Sequence, residues 1–390
     1  MTQMATRLSP RELLEKLVSF PTVSSESNLP LVDWLEGYLE GHGIKAQRHY
    51  DPTGKKAALF AHVGPEVDGG VVLSGHTDVV PVVGQPWDTD PFVLTEKNGR
   101  LYGRGSCDMK GFDALAIWAL VEAQYAGITR PLQLALSYDE EIGCVGAPAM
   151  IAAMGDALPK ASAVIVGEPS MMKAVTGHKG TASYKVHLKG HEVHSSMLHK
   201  GVSAIMSGAK LIEWANMKNA EGQAAEPRDV DAVFDPPFTT VHVGMIEGGN
   251  AHNITAKDCR FELDFRTVPG DDMNAWKEAF LQRVAEVEAE MQAIVPSTGI
   301  DLVEGFNVPA LVPEIDGEAE ALARRLTGDN SSNVVSYATE GGQFQDAGYS
   351  VVVCGPGDIA QAHQPNEYLE ISQLVAGQSF MQNLLKELCQ

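Results

Sequence analysis

From about residue 56 to residue 170 the chain alternates short apolar runs with longer stretches of helical periodicity. "VVLSG" (71–75), "LQLALSY" (132–138) and "SAVIVG" (162–167) read as buried strands, whereas "GFDALAIWALVEAQ" (111–124) and "VGAPAMIAAM" (145–154) read as helices. This alternation predicts a mostly parallel sheet wrapped by helices. The same texture returns late in the chain, with a helix at "GEAEALARRLTG" (317–328), a strand at "SVVVCG" (350–355) and a helix at "SQLVAGQSFMQNLLKEL" (372–388).

Between these halves the pattern changes. "TASYKVHLKG" (181–190) alternates as a half-exposed strand does, and "VSAIMSGAKLIEWA" (202–215) sets Val202, Ile205, Met206, Ala209 and Ile212 on one helical stripe. Two strands come next, "TTVHVGMIEGG" (239–249) and "DCRFELDFRT" (258–267). A helix at "DDMNAWKEAFLQRVAEVEAEM" (271–291) and a strand at "IDLVEGFN" (300–307) complete the order βαββαβ. The prediction is an α/β fold, a mostly parallel or mixed sheet flanked by helices, carrying an inserted α+β domain with one open sheet face. The main domain is discontinuous, 1–180 and 307–390, and the insert is 181–306. The stretch "NAEGQAAEPRDVDAVFDPP" (219–237) reads as a long loop inside the insert.

Length and composition agree with this division. A chain of 390 residues exceeds what one ordinary core holds. The formal charge of −22 excludes nucleic acid as a partner, because phosphate binding needs clustered Lys and Arg. No apolar run approaches the roughly 18 residues of a membrane span. The opening "MTQMATRLSPRELLEKLVSF" reads as a short tail and an amphipathic helix from Ser9-Pro10, without the apolar core of a secretion signal. Five scattered cysteines, never in a C-x-x-C pair, suit a reducing cytoplasm and exclude a thiolate zinc knuckle.

The chemistry lies at the strand ends, because ligands of open parallel sheets bind outside the carboxyl ends of the strands. His76-Thr77-Asp78 comes after the first strand, Asp139-Glu140-Glu141 after the second, and Glu168-Pro169 after the third; His363 lies in the loop after "SVVVCG". "YGRGSCDMKGF" places Asp108 just before a helix that starts at the same rim. Each residue has an ordinary reading by itself: a solvated turn for the Glu pair, a helix cap for Asp108. Together they do not, since carboxylates about 4 Å apart repel by roughly 4 kcal/mol per pair at an effective dielectric near 20. A divalent cation removes that cost. Imidazole plus carboxylate without thiolate favours Zn²⁺, with Co²⁺ or Mn²⁺ as substitutes. Two His and three carboxylates serve two ions if one carboxylate bridges, which leaves positions open for water as a catalytic site requires. Asp78, two residues beyond His76, is placed to accept the imidazole's other N–H. One Glu of the pair is then free to act as general base on a metal-held water.

The stretches "SGHTDVVP" (74–81), "GRGSCDMKG" (103–111), "DEEIG" (139–143), "VGEPS" (166–170), "GHEVHSS" (190–196), "GGNAHNI" (248–254) and "AHQPNEY" (362–368) resemble the M20 metallopeptidase family, the dizinc aminoacylases and deacylases. They occur in that family's order over nearly the whole chain. "GRGSCDMKGF", "TEGGQFQDAG" (339–348) and "CGPGDIAQAHQPNEY" (354–368) look most like its acetylornithine deacetylase branch. The resemblance implies His76, Asp108 and Glu168 on one zinc, and Asp108, Glu141 and His363 on the other, with Asp108 bridging. It implies Glu140 as general acid/base and a homodimer formed through the insert, which the family uses as lid and dimerisation domain. His194 would reach the neighbouring subunit's site and steady the oxyanion, while Asn253 and Arg266 would contact substrate, the arginine suiting an α-carboxylate.

The expected reaction is hydrolysis of the acetyl amide of N²-acetylornithine, a small N-acyl amino acid, to ornithine and acetate. Alternatives within the family are a succinyl-diaminopimelate desuccinylase, an aminoacylase and a dipeptidase. Outside it stand a catalytically silent metal-binding homodimer and a two-metal phosphoester hydrolase. The latter is disfavoured because Lys110 is the lone basic residue beside Asp108. Cys107 is expected to be a buried neighbour.

Overall fold

The structure, a computed structural model, describes residues 6–390; the first five residues of the predicted tail lie outside it. The helix expected from Ser9-Pro10 runs Pro10–Val18. Ser9 Oγ accepts the Glu12 N–H while the Glu12 carboxylate accepts the Ser9 N–H, a reciprocal cap that fixes the start.

The described residues separate into two compact units, one of residues 6–177, 311–334 and 339–390, the other of 178–310 and 335–338. The short segment Val335–Ala338 thus groups with the insert, although the sequence pattern leaves it in the catalytic part. The first unit is built on an eight-stranded mixed sheet. Its order is Ala46–Tyr50, Ala57–Val63, Leu132–Ser137, Gly70–His76, Ala161–Pro169, Val351–Gly355, Val175–His178, Asn333–Val335. The four strands from Leu132–Ser137 to Val351–Gly355 are mutually parallel, so their carboxyl ends share one edge. The outer Ala57–Val63 strand runs antiparallel to its neighbours. That strand, its partner Ala46–Tyr50, the helix Leu29–Gly41 and the small Thr95–Lys97/Arg100–Tyr102 hairpin have no counterpart in the pattern reading.

The helix Lys110–Ala126 is buried along most of its length before an exposed last turn, with Phe112, Leu115, Ile117 and Leu120 in the core. Two glycines let it approach the sheet. A Cβ on Gly167 would lie 2.0 Å from the Phe112 ring, and one on Gly75 would lie 2.1 Å from Asp113 Oδ1. Each glycine directly precedes a residue of the rim, Glu168 and His76, so close helix–sheet packing and site geometry are set by the same two positions.

The second unit has the order Gly180–Lys189, Ala204–Ala224, Thr240–Gly248, Asp258–Thr267, Met273–Ile294, Gly299–Val308, which is βαββαβ. Its antiparallel sheet runs Thr240–Gly248, Asp258–Thr267, Gly180–Lys189, Gly299–Val308. Tyr184, Trp214, Phe265 and Phe280 make its aromatic core. Two details correct the pattern reading. The helix continues to Ala224, so the long loop begins at 225 rather than 219. Its buried face is Ala204, Ser207, Gly208, Leu211, Trp214 and Ala215, while Ile205, Met206 and Ala209 of the predicted stripe are exposed. Small residues make the close contact here: a Cβ on Gly208 would meet Cys259 Sγ and Leu188 Cδ1 at 3.3 Å. Weighting large apolar side chains alone therefore selects the wrong face.

Among the described residues no helix is long and apolar enough to cross a membrane.

Candidate metal centre

The parallel strands deliver their ends as the pattern predicts. His76 closes Gly70–His76, Glu140 and Glu141 come just after Leu132–Ser137, and Glu168 lies in Ala161–Pro169. Asp108 stands two residues before the helix Lys110–Ala126, where the helix N-terminus favours a carboxylate; the Asp108–Met109 peptide is cis. His363 sits in the loop between Val351–Gly355 and the last helix, with a left-handed backbone (φ 63°).

These residues meet. Asp108 Oδ1 is 3.2 Å from His76 Nε2, and its other oxygen, Oδ2, is 3.4 Å from His363 Nε2. One carboxylate therefore faces two separate groups. His76 Nε2 is 3.7 Å from Glu168 Oε1, and His363 Nε2 is 2.8 Å from Glu141 Oε2. In the triads His76–Asp108–Glu168 and Asp108–Glu141–His363, one ligand atom from each residue lies within 4.8 Å of the others. Glu140 belongs to neither triad. Its Oε2 is 3.9 Å from His76 Nε2, and its Oε1 accepts from the Cys144 thiol at 3.2 Å.

The electrostatics match the chemistry of the donor set. Burial, then repulsion from neighbouring anions, pushes Glu140 up to about 8 and Glu141 up to about 7, and raises Glu168 well above the usual carboxylate range. Burial pulls His76 down, but the carboxylates around it, Asp108 and Asp78 first, outweigh that and raise it. His363 is raised to about 10 by Asp108 and Glu141. Asp108 is held low despite burial, because two imidazoles donate to it. Each triad is thus a place where added positive charge is favoured. A divalent cation fits both, and two imidazoles with three carboxylates suit a borderline metal with open positions.

Asp78 is buried beside His76 but makes different bonds from those expected. His76 Nδ1 lies 2.9 Å from the Asp78 carbonyl oxygen and 3.6 Å from its carboxylate, beyond hydrogen-bond length. The carboxylate accepts the backbone N–H groups of Glu140 (3.1 Å) and Glu141 (3.3 Å) and the Ser24 hydroxyl (2.7 Å). One residue orients the imidazole with its backbone and the acidic turn with its side chain. Asp139 pairs with Lys56 at 2.5 Å. Lys110 is buried, donates to the Phe20 carbonyl at 2.8 Å and is pulled down to about 8 by burial, so it presents no phosphate clamp. Cys107 is buried, its thiol donates to the Asp358 carbonyl at 3.4 Å, and burial pushes its pKa up. Sequence reasoning missed Glu340, whose buried carboxylate accepts from the Ser74 and Ser137 hydroxyls of two neighbouring strands. Its only signal is an acid inside "TEGGQFQDAG".

In the second unit, His194 precedes the short helix Ser195–Lys200, and its Nδ1 is engaged within its own loop, 2.8 Å from the Ser196 hydroxyl and 3.3 Å from the Ser196 amide nitrogen. The Asn253 carbonyl accepts the Ser195 N–H at 2.8 Å and His194 pairs with Ile254, so the two loops lie side by side beyond the start of Asp258–Thr267. Arg266 is not with them. It sits toward the other end of the strand, eight residues after Asp258 and so roughly 27 Å from Asp258 at strand rise, and pairs with Asp264 at 3.1 Å.

Comparisons with known proteins agree with this geometry. The family model described as peptidase family M20/M25/M40 matches residues 72–387. An acetylornithine deacetylase of Myxococcus xanthus is 35% identical over 387 residues, covering 97% of each chain, and one of Edwardsiella ictaluri is 31% identical with the same coverage. The fold is that of an M20 metallo-carboxypeptidase of Sulfolobus solfataricus (TM-score 0.78, 19% identity, 97% of this chain and 99% of that one). It is also that of a dinuclear metal-binding M20 peptidase of Bacillus subtilis (TM-score 0.64, 15% identity, 97% of each). The chain belongs to the M20/M25/M40 peptidase family and is a metallo-hydrolase acting on amide bonds.

Proposed function

We propose that the protein hydrolyses N²-acetylornithine to ornithine and acetate, with His76, Asp108 and Glu168 holding one Zn²⁺ and Asp108, Glu141 and His363 the other. The observation that carries the site is the division of Asp108's two oxygens between two imidazole–carboxylate groups. The substrate rests on end-to-end similarity to relatives named acetylornithine deacetylase. Bound cations would supply Lewis acidity at the substrate carbonyl and lower the pKa of water.

The remaining steps belong to side chains. Glu140, in neither triad, takes a proton from water as its oxygen attacks the acetyl carbon. When the C–N bond breaks, Glu140 returns that proton to the leaving amine. Asp78 holds the amides of Glu140 and Glu141, and so the aim of the base. His194 donates from Nε2 to the tetrahedral oxyanion, Asn253 contacts the substrate, and Arg266 meets its α-carboxylate.

The separation of Arg266 from His194 and Asn253 supports a homodimer. Arg266 lies toward the far end of Asp258–Thr267, whereas His194 and Asn253 lie in loops beyond its start, so a substrate as small as acetylornithine meets all three most directly when they come from two chains. The surface for such a dimer is the unpaired edge of Thr240–Gly248, with exposed Met245 and Ile246, beside exposed Ile205 and Met206. Ile205 lies at the end of that strand, against Gly248 and Gly249. Met206→Glu combined with Met245→Glu is expected to shift the protein to monomers in sedimentation analysis and to lower turnover; a dimer of unchanged stability would refute the surface.

The substrate is tested by measuring kcat/KM on a panel of N-acetylated and N-succinylated amino acids and dipeptides, with metal analysis on the same sample. N²-acetylornithine is expected to give the highest value with two ions per chain. A higher value on succinyl-diaminopimelate or a dipeptide would reassign the substrate.

A further inference from the structure

The two loops that carry Asp108 and His363 lie far apart in sequence and need something to fix their spacing. Glu367 does this from a buried position (1% exposed). Its Oε1 accepts the backbone N–H groups of Cys107 (2.9 Å) and Asp108 (3.0 Å), and its Oε2 accepts that of Gly105 (3.0 Å). Its own carbonyl accepts the Gly103 N–H at 3.0 Å. Glu367 stands four residues after His363, so one carboxylate holds the Asp108 loop to the His363 loop.

Arg104 completes the tie. Its Nη1 lies 2.7 Å from Glu367 Oε2 and also donates to the Gln364 carbonyl, next to His363, at 3.4 Å. Its Nη2 donates to Gln85 Oε1 at 2.5 Å, and Gln85 Nε2 donates to the His363 carbonyl itself at 2.9 Å. His363 has a left-handed backbone that a non-glycine residue holds only when its surroundings impose it. A buried ion pair is a poor source of net stability. Positional control explains why one is kept here.

We propose that Glu367, with Arg104 and Gln85, is a positioning unit that sets the distance between the Asp108 carboxylate and the His363 imidazole. It thereby determines how tightly the Asp108–Glu141–His363 group holds its cation. None of the three residues is in either ligand triad. The inference rests on the two-cation reading of the site.

The test is calorimetric titration of Zn²⁺ into metal-free protein, with ion counts and circular dichroism on the same samples. Wild type is expected to take up two ions. Glu367→Gln is expected to bind the first ion within about threefold of wild type and the second at least tenfold more weakly, because the amide turns a donor toward backbone N–H groups. Gln85→Ala, in a half-exposed loop that leaves the buried pair intact, is expected to weaken only the second ion, severalfold. Equal weakening of both ions, or a second ion bound as in wild type by folded Glu367→Gln, overturns the proposal. If Glu367→Gln does not fold, Gln85→Ala decides, and an unchanged second ion overturns it. Wild type taking up no second ion would instead overturn the two-cation reading.

Discussion

Glu140→Ala is expected to lower kcat about 10³-fold, the scale of a positioned general acid/base, while the protein keeps two ions per chain. The geometry separates the two effects. Glu140 lies beside His76 but outside both triads, and its side chain accepts a hydrogen bond from the Cys144 thiol. Losing the carboxylate removes a buried acid without removing a ligand atom. Glu140→Gln is expected to behave likewise, since the amide keeps the shape and cannot carry the proton. Stopped-assay turnover and metal analysis on one preparation check this. Turnover near wild type would move the base elsewhere, and loss of one ion would make Glu140 a ligand.

Chelation is expected to abolish activity and to make stability pH-dependent in a defined direction. In the metal-free fold, Glu140 titrates near 8 and Glu141 near 7, and Glu168 is also raised. In the unfolded chain all three titrate near the ordinary value of about 4.3. Between these limits the folded state binds more protons, so stability falls as pH rises, by about 1.4 kcal/mol per pH unit for each group fully protonated in one state only. His363, raised to about 10, acts in the same direction above its ordinary value. Asp108 and Asp78 are lowered and act oppositely, at acid pH only. Reloaded protein behaves in reverse, because cations displace these protons and bind more tightly as pH rises. The gap in Tm between reloaded and chelated samples is expected to widen from pH 5 to pH 8. A constant or narrowing gap would mean that the acids are not gathered around cations.

Much of the catalytic unit is legible in the sequence because parallel strands buried on both faces leave continuous apolar runs. The residues just past the end of each run must then share one edge. His76, the Glu140–Glu141 pair, Glu168 and His363 are found in this way and Asp108 from its place before a helix at the same rim, while the choice of Glu141 over Glu140 comes from the family resemblance; the structure brings these residues together. The bonds that aim them are not legible. Asp78 has the spacing to hold the imidazole with its carboxylate, yet its backbone does so and its side chain serves the acidic turn. Glu367 and Arg104 stand inside "AHQPNEY" and "GRGSCDMKG", but nothing in spacing distinguishes a buried tether from a solvated charge. The phase of Ala204–Ala224 is misread for a related reason: Ser207 and Gly208 pack closest because they are small, and hydropathy does not register closeness.

The strand Val351–Gly355 lies directly beside Ala161–Pro169, residue 351 opposite residue 164. A ribosome making this chain must therefore release the entire insert before the central sheet receives its last parallel member. Until then the newborn protein has Glu168 without His363, and half of its cation-holding groups are incomplete. On the proposed two-cation reading, maturation of the centre is timed by translation: capture of the second ion waits for the final tenth of the polypeptide, and a chain truncated ahead of that point keeps His76, Asp108 and Glu168 but lacks His363.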